Sequence, residues 1–428
     1  MQQKVKVITE EQELLNEMLR DDLETMQISI PPLENVMDED IREDLPGMIQ
    51  DKAGFKEDFD LQLDMMIDLF SADSVEEMAS RADALLTKTK ERAVENQQII
   101  LETIRPWERT LRSINLFFQN AAVGGKVEHA QFVAVDPEKF AGATNPVHFT
   151  TLAEKLKDLF YAWIPEDSPM YLSYAGDIKD GANAMAKIAE ETMALAVVDT
   201  VESNSAEATL RRTKERNLGG SESEWGHLAV SGTYLIGRGA HPDLESKPLS
   251  VPSSPAIAGK LMGGELGGSI AGFEHGALAG AKGVAYQSGT RESKKFGDRG
   301  MLIIGWEEGT ARIFGDTTAN KSDNKLLRKV SKMNVHNKVM NDVIAFCNRK
   351  AFSKWGKSEQ RKFINQLQNY LNDLVRDKVI QGYTEIKIEE NSNNDEEVSV
   401  SLGLEFYNTI NRYMIKVEEG NVDSFQRI

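Results

Sequence analysis

The spacing of the apolar residues changes near residue 120, and this change constrains the fold more than any other feature of the sequence. Before it, apolar residues recur every three or four positions, which is the period of an α-helix. After it, short apolar runs alternate with helical patterns, as in domains that combine helices with a sheet. The sequence therefore predicts an α+β (mixed α/β) fold with an acidic helical region over 1–120, an α/β body over 121–298 and a C-terminal domain over 299–428.

The helical region carries apolar stripes that are too narrow to form a core of their own. The first stripe lies on a predicted helix over 9–30, which Pro31-Pro32 ends. Its members are Leu15, Leu19, Leu23 and Met26. A later stripe runs from Ile100 to Phe118 across Pro106, which is predicted to begin a new helix at its first turn. Because a narrow stripe buries little within its own chain, these helices are expected to need a partner.

The charge of the chain limits the class of partner. Its net charge of −18 opposes binding to a nucleic-acid duplex. The acidic run Asp38–Asp44 is either a solvated face or a docking surface for a basic partner. It does not fit a calcium loop, because Arg42 and Glu43 occupy positions that such a loop gives to a ligand and a glycine. The basic segment 321–362 is either a solvated face or a contact for an acidic protein surface, since it has too few interleaved aromatics for nucleic acid.

The sequence contains no motif that indicates catalysis or a cofactor. Its six histidines lack the spacing of a helical zinc site, and Cys347 lies on the apolar face of a predicted helix, where an inert thiol is expected. The glycine-rich stretches 263–268 and 276–283 miss the spacing of a phosphate-binding loop. We therefore expect a protein that is not an enzyme and has no catalytic, cofactor or metal site. The alternative is an enzyme with a cryptic site in 218–298, a Gly- and Pro-rich stretch that is predicted to be irregular.

The compartment is predicted from three features of the sequence. One cysteine in the whole chain excludes an internal disulfide framework and fits a reducing compartment. No apolar run approaches the roughly 20 residues that span a bilayer, so membrane insertion is not expected. The first residues, Met1 to Val7, have no apolar core like that of a signal peptide. A cytoplasmic protein is expected.

The C-terminal third has the clearest pattern. Strands over 301–306 and 311–314 are followed by a helix capped near Ser322 or Asp323, and by a second helix capped by Ser358. Three strands, each with one apolar face, close the chain. Their apolar positions are Ile386 and Ile388, then Val398, Val400 and Leu402, then Tyr413 and Ile415.

Three stretches carry a resemblance to a known family. They are Leu101–Arg109, Glu224–Leu228 and Glu397–Leu404. Together with the order of the predicted elements, they make the chain similar to the contractile sheath proteins of phage tails. It most resembles the large sheath subunit of bacterial type VI secretion systems, in a diverged branch. A phage or phage-derived tail sheath is the alternative within this class.

The resemblance implies a structural subunit with several partners. The N-terminal stripe at Leu15, Leu19, Leu23 and Met26 would pack against a small sheath subunit. The heterodimers would polymerise on a baseplate into a helical sheath around an inner tube, contract to drive secretion, and be dismantled by a ring-shaped ATPase. Strand exchange between subunits would fall on the seven apolar positions of the closing strands, whose edges suit strand addition. Contact with the tube would fall on Lys325, Lys329 and Lys332.

Overall fold

The computed structural model describes 67, 69–122, 170–177, 181–215, 218–237, 248–390 and 397–408, the single positions 127, 130 and 132, and the backbone of 414–419 and 422–427. By its contacts the chain divides into two compact units, 1–97 with 130–133 and 98–129 with 134–428. The predicted N-terminal stripe at Leu15, Leu19, Leu23 and Met26 lies outside the described residues.

Helices and strands alternate through the first part of the described chain. In order they are α1 (Val75–Ala121), β1 (Tyr171–Asp177), α2 (Ala182–Glu191), β2 (Leu195–Asp199), α3 (Ala206–Glu215), β3 (Leu228–Ser231), β4 (Leu235–Gly237), β5 (Leu249–Val251), α4 (Ser254–Gly263), α5 (Gly272–His275), β6 (Ala277–Leu278), β7 (Gly283–Val284), α6 (Thr290–Gly297), β8 (Met301–Glu307) and β9 (Thr310–Phe314). Helices and sheets are both abundant, so the predicted α+β class is confirmed.

Two long helices and short strands complete the chain. They are α7 (Val330–Lys350), α8 (Lys357–Arg376), β10 (Gly382–Tyr383), β11 (Lys387–Glu390), β12 (Val398–Ser401), β13 (Leu404–Glu405), β14 (Met414–Glu419) and β15 (Val422–Arg427). The antiparallel pairs are β10 with β13, β11 with β12, and β14 with β15. The strand predicted around Val398–Leu402 is therefore confirmed at β12, which ends at Ser401. Leu404, which follows, lies in β13, and β13 pairs with β10 in a separate sheet.

A six-stranded sheet forms the centre of the fold, in the order β1-β2-β3-β8-β9-β6. The first four strands are parallel, and β9 and β6 are antiparallel to their neighbours. Alternate residues enter opposite cores: in β2, Leu195 and Val197 pack with α4 and the end of α1, whereas Ala196 and Val198 pack with α2 and α6. Because both faces are buried, these strands are apolar along their whole length.

The prediction that 218–298 is irregular was wrong. This stretch contains β3, a central strand of the large sheet, as well as α4 and a smaller antiparallel sheet in the order β5-β4-β7. The error has a physical cause: β3 has only four residues, it is buried on both faces and so shows no polar alternation, and Gly226 and Gly232 flank it. The predicted pair of strands over 301–306 and 311–314 is confirmed as β8 and β9.

The predicted start of α7 was also wrong. The helix begins at Val330 and not near Ser322. Its first turn is capped by Asp316, whose carboxylate accepts hydrogen bonds from the Ser331 amide at 2.9 Å and the Ser331 hydroxyl at 2.6 Å. Because this cap is distant in sequence, local spacing could not reveal it. The α8 prediction is close, since its N-cap is Gly356, two residues before Ser358.

Helix α1 runs without interruption through Pro106, contrary to the predicted new helix at that residue. Proline deprives the carbonyl four residues earlier of its donor, and that carbonyl belongs to the exposed Glu102. Water can satisfy an exposed carbonyl, so the interruption is tolerated. Downstream, the Thr110 hydroxyl donates to the Pro106 carbonyl at 3.1 Å. The stripe from Ile100 to Phe118 therefore lies on one continuous helix.

Candidate assembly surfaces

One side of α1 exposes a line of large apolar side chains, which we call the outer face of α1. Its members are Ile100, Ile104, Trp107, Leu111 and Phe118. Their spacings of four, three, four and seven residues place them within one narrow sector of the helix. Trp107 is 79% exposed and Ile100 is 59% exposed. Isolated exposed apolar residues are ordinary, but a contiguous line of this kind marks an interaction surface.

The opposite side of α1 is tightly held. Gly259 and Gly263 lie one turn apart on α4, and any Cβ at Gly259 would collide with the Phe117 carbonyl oxygen. A Cβ at Gly263 would lie 2.6 Å from the carbonyl oxygens of Asn120 and Ala121. Small residues at this spacing let two helix backbones approach closely. The glycine-rich stretch 263–268 thus begins with a packing residue.

Polar contacts fix α1 further. The buried Asn120 side chain donates to the Ala279 carbonyl at 3.2 Å and accepts from the Ala279 amide at 2.8 Å. Arg105 donates to the Pro248 carbonyl at 2.7 Å, and Arg109 forms an ion pair with Glu202 at 2.9 Å. The helix is therefore a fixed platform, and its outer face is presented in a defined orientation.

The predicted closing strands provide a second surface. Ile388 lies opposite Val400 in the β11–β12 pair, and Glu390 lies opposite Val398. Ile386, Ile388, Val400 and Leu402 pack against the apolar cluster formed by α7 and α8. Ile415 belongs to β14, of which only the backbone is described, and Tyr413 lies outside the described residues.

This packing leaves the backbone of β11 and β12 available at its outer edges. Within the described residues, β11 and β12 pair only with each other. A two-stranded sheet is marginally stable in water unless a further strand or another surface covers it. Helices α7 and α8 supply that surface on one face, whereas the outer edges have no strand partner in the part of the chain that the structure describes and could accept one.

The predicted basic residues come together at the N-terminal end of α7. Lys325 lies in the turn before the helix, Lys329 is its N-cap and Lys332 is in its first turn. Burial lowers the pKa of Lys332, and the positive charges of Lys329 and Lys325 lower it further. The Lys332 ammonium donates to the Asn408 side chain at 3.0 Å. Since a helix N-terminus disfavours cations, this cluster does not serve the stability of α7.

A second group of cations in the basic segment lies at and beyond the other end of α7. Lys350 ends this helix, Lys354 lies in the loop that follows, and Lys357 begins α8. A helix of 21 residues separates these groups by about 30 Å. The segment 321–362 is therefore two separate basic surfaces, and the sequence alone gave no reason to divide it.

Buried polar groups at the C-terminal end of β2 hold α4 against the large sheet. Asp199, at the end of β2, accepts from the Ser253 amide at 2.9 Å, the Ser254 amide at 3.1 Å and the Ser254 hydroxyl at 2.5 Å. Burial raises the pKa of Asp199 to about 6, although these donors lower it. The carboxyl group has no access to solvent and sits at the N-terminal end of α4, so it holds that helix to the sheet.

A metal site and a membrane-spanning helix each place requirements on the described residues. Among them, no three His, Cys, Asp or Glu side chains are grouped so that they could hold a metal ion. In the same part of the chain, no helix is both long and apolar enough to cross a membrane. Cys347 is half-buried on α7, and burial raises the pKa of its thiol.

Comparisons with known proteins point to one class. The family model described as Type VI secretion system TssC/VipB, central domain, matches residues 99–320. The model described as TssC/VipB-like, C-terminal domain, matches residues 329–426. No curated protein matches the chain.

Solved structures with a similar fold are parts of contractile assemblies. One is the anti-feeding prophage baseplate, determined by cryo-electron microscopy, with 15% identity and a TM-score of 0.52 over 72% of this chain and 80% of that one. Another is the contracted PVC sheath complex of an extracellular contractile injection system, with 15% identity, a TM-score of 0.51 and the same coverage. At this identity the similarity shows a shared fold.

Proposed function

The chain belongs to the TssC/VipB family of type VI secretion sheath subunits, and on this premise we propose that it is the large subunit of a heterodimer with a small sheath subunit. Membership of this family confirms the predicted resemblance and makes the chain a structural component that self-associates into a contractile sheath. The sheath would surround an inner tube in the cytoplasm, rest on a baseplate, and after contraction be dismantled by a ring-shaped ATPase.

The outer face of α1 is the observation that carries the heterodimer proposal. Its apolar line extends from Ile100 to Phe118, or about 27 Å along the helix. A straight line of side chains at helical spacing fits a groove or a second helix on a partner. We propose that the small subunit covers this face, and that the predicted stripe at Leu15, Leu19, Leu23 and Met26 extends the same interface.

The heterodimer proposal can be tested with neighbouring residues that differ only in their side of the helix. Ile99 is 61% exposed and Ile100 is 59% exposed, but Ile99 points about 100° away from the outer face. We expect Trp107→Ser to weaken binding of the small subunit at least 30-fold, because buried tryptophans at interfaces are worth about 2 kcal/mol or more. Ile100→Ser should weaken it by a smaller factor, and Ile99→Ser should have no effect.

The measurement is co-purification and titration of the small subunit with each variant. Helical content by circular dichroism serves as the control for folding. Equal affinities for Ile99→Ser and Ile100→Ser, or an unchanged affinity for Trp107→Ser, would contradict the heterodimer proposal.

The closing strands are proposed as the link between subunits. The set Ile386, Ile388, Val398, Val400, Leu402, Tyr413 and Ile415 would lie in a sheet completed by strands of neighbouring subunits. The packing of Ile388 and Val400 on α7 and α8 supports this proposal. It fixes one face of the sheet to its own subunit, so a strand of a neighbour would add at the edge through backbone hydrogen bonds.

The basic cluster at the start of α7 is proposed as the contact with the inner tube. Lys325, Lys329 and Lys332 form a compact positive charge whose position is unfavourable for the helix that carries it. An acidic surface on the tube would compensate for that cost. We propose no catalytic activity: the segment 218–298, where a cryptic site was the alternative, contributes β3 and α4 to the core.

A further inference from the structure

The loop between α7 and α8, residues 351–356, places an aromatic side chain in water. Phe352 is fully exposed, although phenylalanine is one of the residues most often buried. Its backbone φ is +61°, in the left-handed region. The residue follows the C-cap Ala351, at a position where helices usually carry glycine because a Cβ is sterically unfavourable there. Phe352 is therefore unfavourable for the isolated subunit in both its side chain and its backbone.

The base of the loop is well packed, so the exposure of Phe352 is not part of a general loosening. The Trp355 ring meets Phe363 edge-on at 5.8 Å, and Phe363 meets Phe346 at 4.8 Å. The Lys350 ammonium lies 5.8 Å from the centre of the Phe346 ring. These contacts hold the two ends of the loop, and Phe352 projects from a fixed base.

Three exposed cations follow Phe352 within nine residues of the chain. Lys354, Lys357 and Arg361 are exposed, and within the described residues none of them has an ion-pair partner. Lys357 opens α8, where the helix dipole disfavours a positive charge. A purely solvated face would not require an exposed aromatic and an unfavourable cation at the same place. Together they match an acidic partner that also offers an apolar contact.

From this arrangement we infer that the α7–α8 loop is a docking site for the acidic N-terminal segment of a neighbouring copy of the chain. Residues 1–66 contain 18 acidic and 6 basic residues, which accounts for −12 of the net charge of −18. Within them the acidic run Asp38–Asp44 is followed directly by Leu45, Met48 and Ile49. The run would face the three cations, and the apolar residues would cover Phe352.

We take a neighbouring copy as the source, because the chain self-associates into a sheath and each copy carries one such segment. The inference rests on self-association into a sheath, and it adds a contact to those of the proposed function. In a helical polymer every copy supplies one loop and one acidic segment, so the contact would repeat along the whole assembly.

Photo-crosslinking tests the contact in the assembled full-length protein. A photoreactive phenylalanine analogue is placed at 352, and sheaths are formed from a mixture of isotopically light and heavy chains. We expect crosslinked peptides that join position 352 to the segment around 38–49 of a different copy. The matched control is the same analogue at Phe273, which is 59% exposed and has one cation, Arg312, 5.6 Å from the centre of its ring; it should give no such peptide.

Several outcomes would overturn the inference. Crosslinks from 352 to the small subunit, to the tube protein or only within the same copy would do so, as would assembled sheaths with no crosslink at 352. Binding of the full chain to anionic phospholipid vesicles that is lost in Phe352→Ser would assign the loop to a lipid surface instead. If no sheath forms even with the unmodified chain, it is the proposed function that fails.

Charge exchange supplies a second test. Reversal of Lys354, Lys357 and Arg361 to glutamate should reduce the fraction of chain in sheaths at least tenfold. Reversal of Asp38, Asp40 and Asp44 to lysine in the same chain should restore it. The control is reversal of Lys325, Lys329 and Lys332, which should leave the fraction of chain in sheaths unchanged. Normal assembly of the first variant, or failure of the rescue while crosslinking is absent, would count against the contact.

Discussion

Both faces of α1 carry large apolar side chains, but they differ in exposure. On the inner face, Leu116 and Phe117 pack into the core, and Gly259 allows α4 to approach the backbone of α1. On the outer face, Trp107 and Leu111 are left in water. Apolar residues on one helix therefore divide into a buried set that stabilises the subunit and an exposed set that we propose for assembly. The comparison teaches that exposure, and not residue type, distinguishes the two.

The largest effect should come from the inner face. In Gly259→Leu, the new side chain would enter the space occupied by the Phe117 carbonyl, so α1 and α4 would have to separate. We expect a loss of more than ~3 kcal/mol in the free energy of unfolding, at or beyond the upper end of overpacking effects. The measurement is denaturant unfolding followed by circular dichroism.

Another helical glycine serves as the control for Gly259→Leu. No atom lies within 4 Å of a Cβ built at Gly297, the last residue of α6. Gly297→Leu should therefore change stability by less than about 1 kcal/mol, since only helix propensity is affected. Similar losses in the two variants would show that close packing of α1 on α4 is not what stabilises the inner face.

Much of the fold follows from local patterns, and the failures have identifiable causes. Helix α8 and the strands β8 and β9 were predicted because their periods are regular and their ends carry turn residues. Strand β3 was missed because a short strand that is buried on both faces has no alternation. The start of α7 was missed because its cap, Asp316, is distant in sequence.

The candidate surfaces were only partly predictable. Apolar spacing identified the line from Ile100 to Phe118, but burial depends on tertiary packing, and the same spacing would have suited a core helix. The cluster at Lys325, Lys329 and Lys332 was found from charge alone. Phe352 was not singled out, because its exposure and its left-handed backbone are properties of the folded loop. An aromatic residue within a run of cations was the only available signal.

The next largest effect on stability is expected at Asp199, a buried residue that helps to stabilise the subunit. Burial raises its pKa from 3.8 to about 6 in the folded chain. Because the folded state holds the proton more tightly, the contribution of this group to stability is complete below about pH 4 and is lost as pH rises through 6. We expect this loss to be on the order of 3 kcal/mol, since the pKa rises by about 2 and each tenfold change in proton affinity is worth about 1.4 kcal/mol.

Comparison of unfolding free energies between pH 4 and 7 for the unchanged chain and for Asp199→Asn isolates this contribution. The variant should be less stable overall, because its amide cannot accept all the donors at the start of α4. Its profile should nevertheless lack the decline that the unchanged chain shows between pH 4 and 6. Parallel profiles would mean that Asp199 keeps an ordinary pKa.

A smaller effect on stability, with a large effect on assembly, is expected at the closing strands. Val400→Pro removes one backbone N–H in the β11–β12 pair and disturbs the strand. We expect about 1 kcal/mol of destabilisation, complete loss of sheath tubes in negative-stain micrographs, and survival of the heterodimer. Val400→Thr keeps both the β-branched shape and the N–H, so it should form tubes. Normal tubes from Val400→Pro would exclude the strand-exchange role.

The smallest effect on the stability of the subunit should come from the basic cluster. Here a role in stability and a role in assembly predict opposite results. Reversal of Lys325, Lys329 and Lys332 to glutamate places negative charge at the N-terminal end of α7. Negative charge is favourable there, by about 0.3–1 kcal/mol for each residue close to the helix end. Part of this gain is offset, because Lys332 is partly buried and its hydrogen bond to Asn408 is lost in the variant. The net change in unfolding free energy should therefore be less than about 1 kcal/mol.

Attachment to the inner tube should fall in the same variant, and this opposition between stability and assembly is the decisive observation. If the cluster belonged to the set that stabilises the subunit, reversal would lower the unfolding free energy and leave tube loading unchanged. If it belongs to the set kept for assembly, the fold is unaffected while the amount of tube recovered with purified sheaths declines. That decline should diminish as salt is raised, because exposed charges are screened within about 10 Å at 0.1 M salt. Unchanged tube loading at low salt would identify the three lysines as a solvated face.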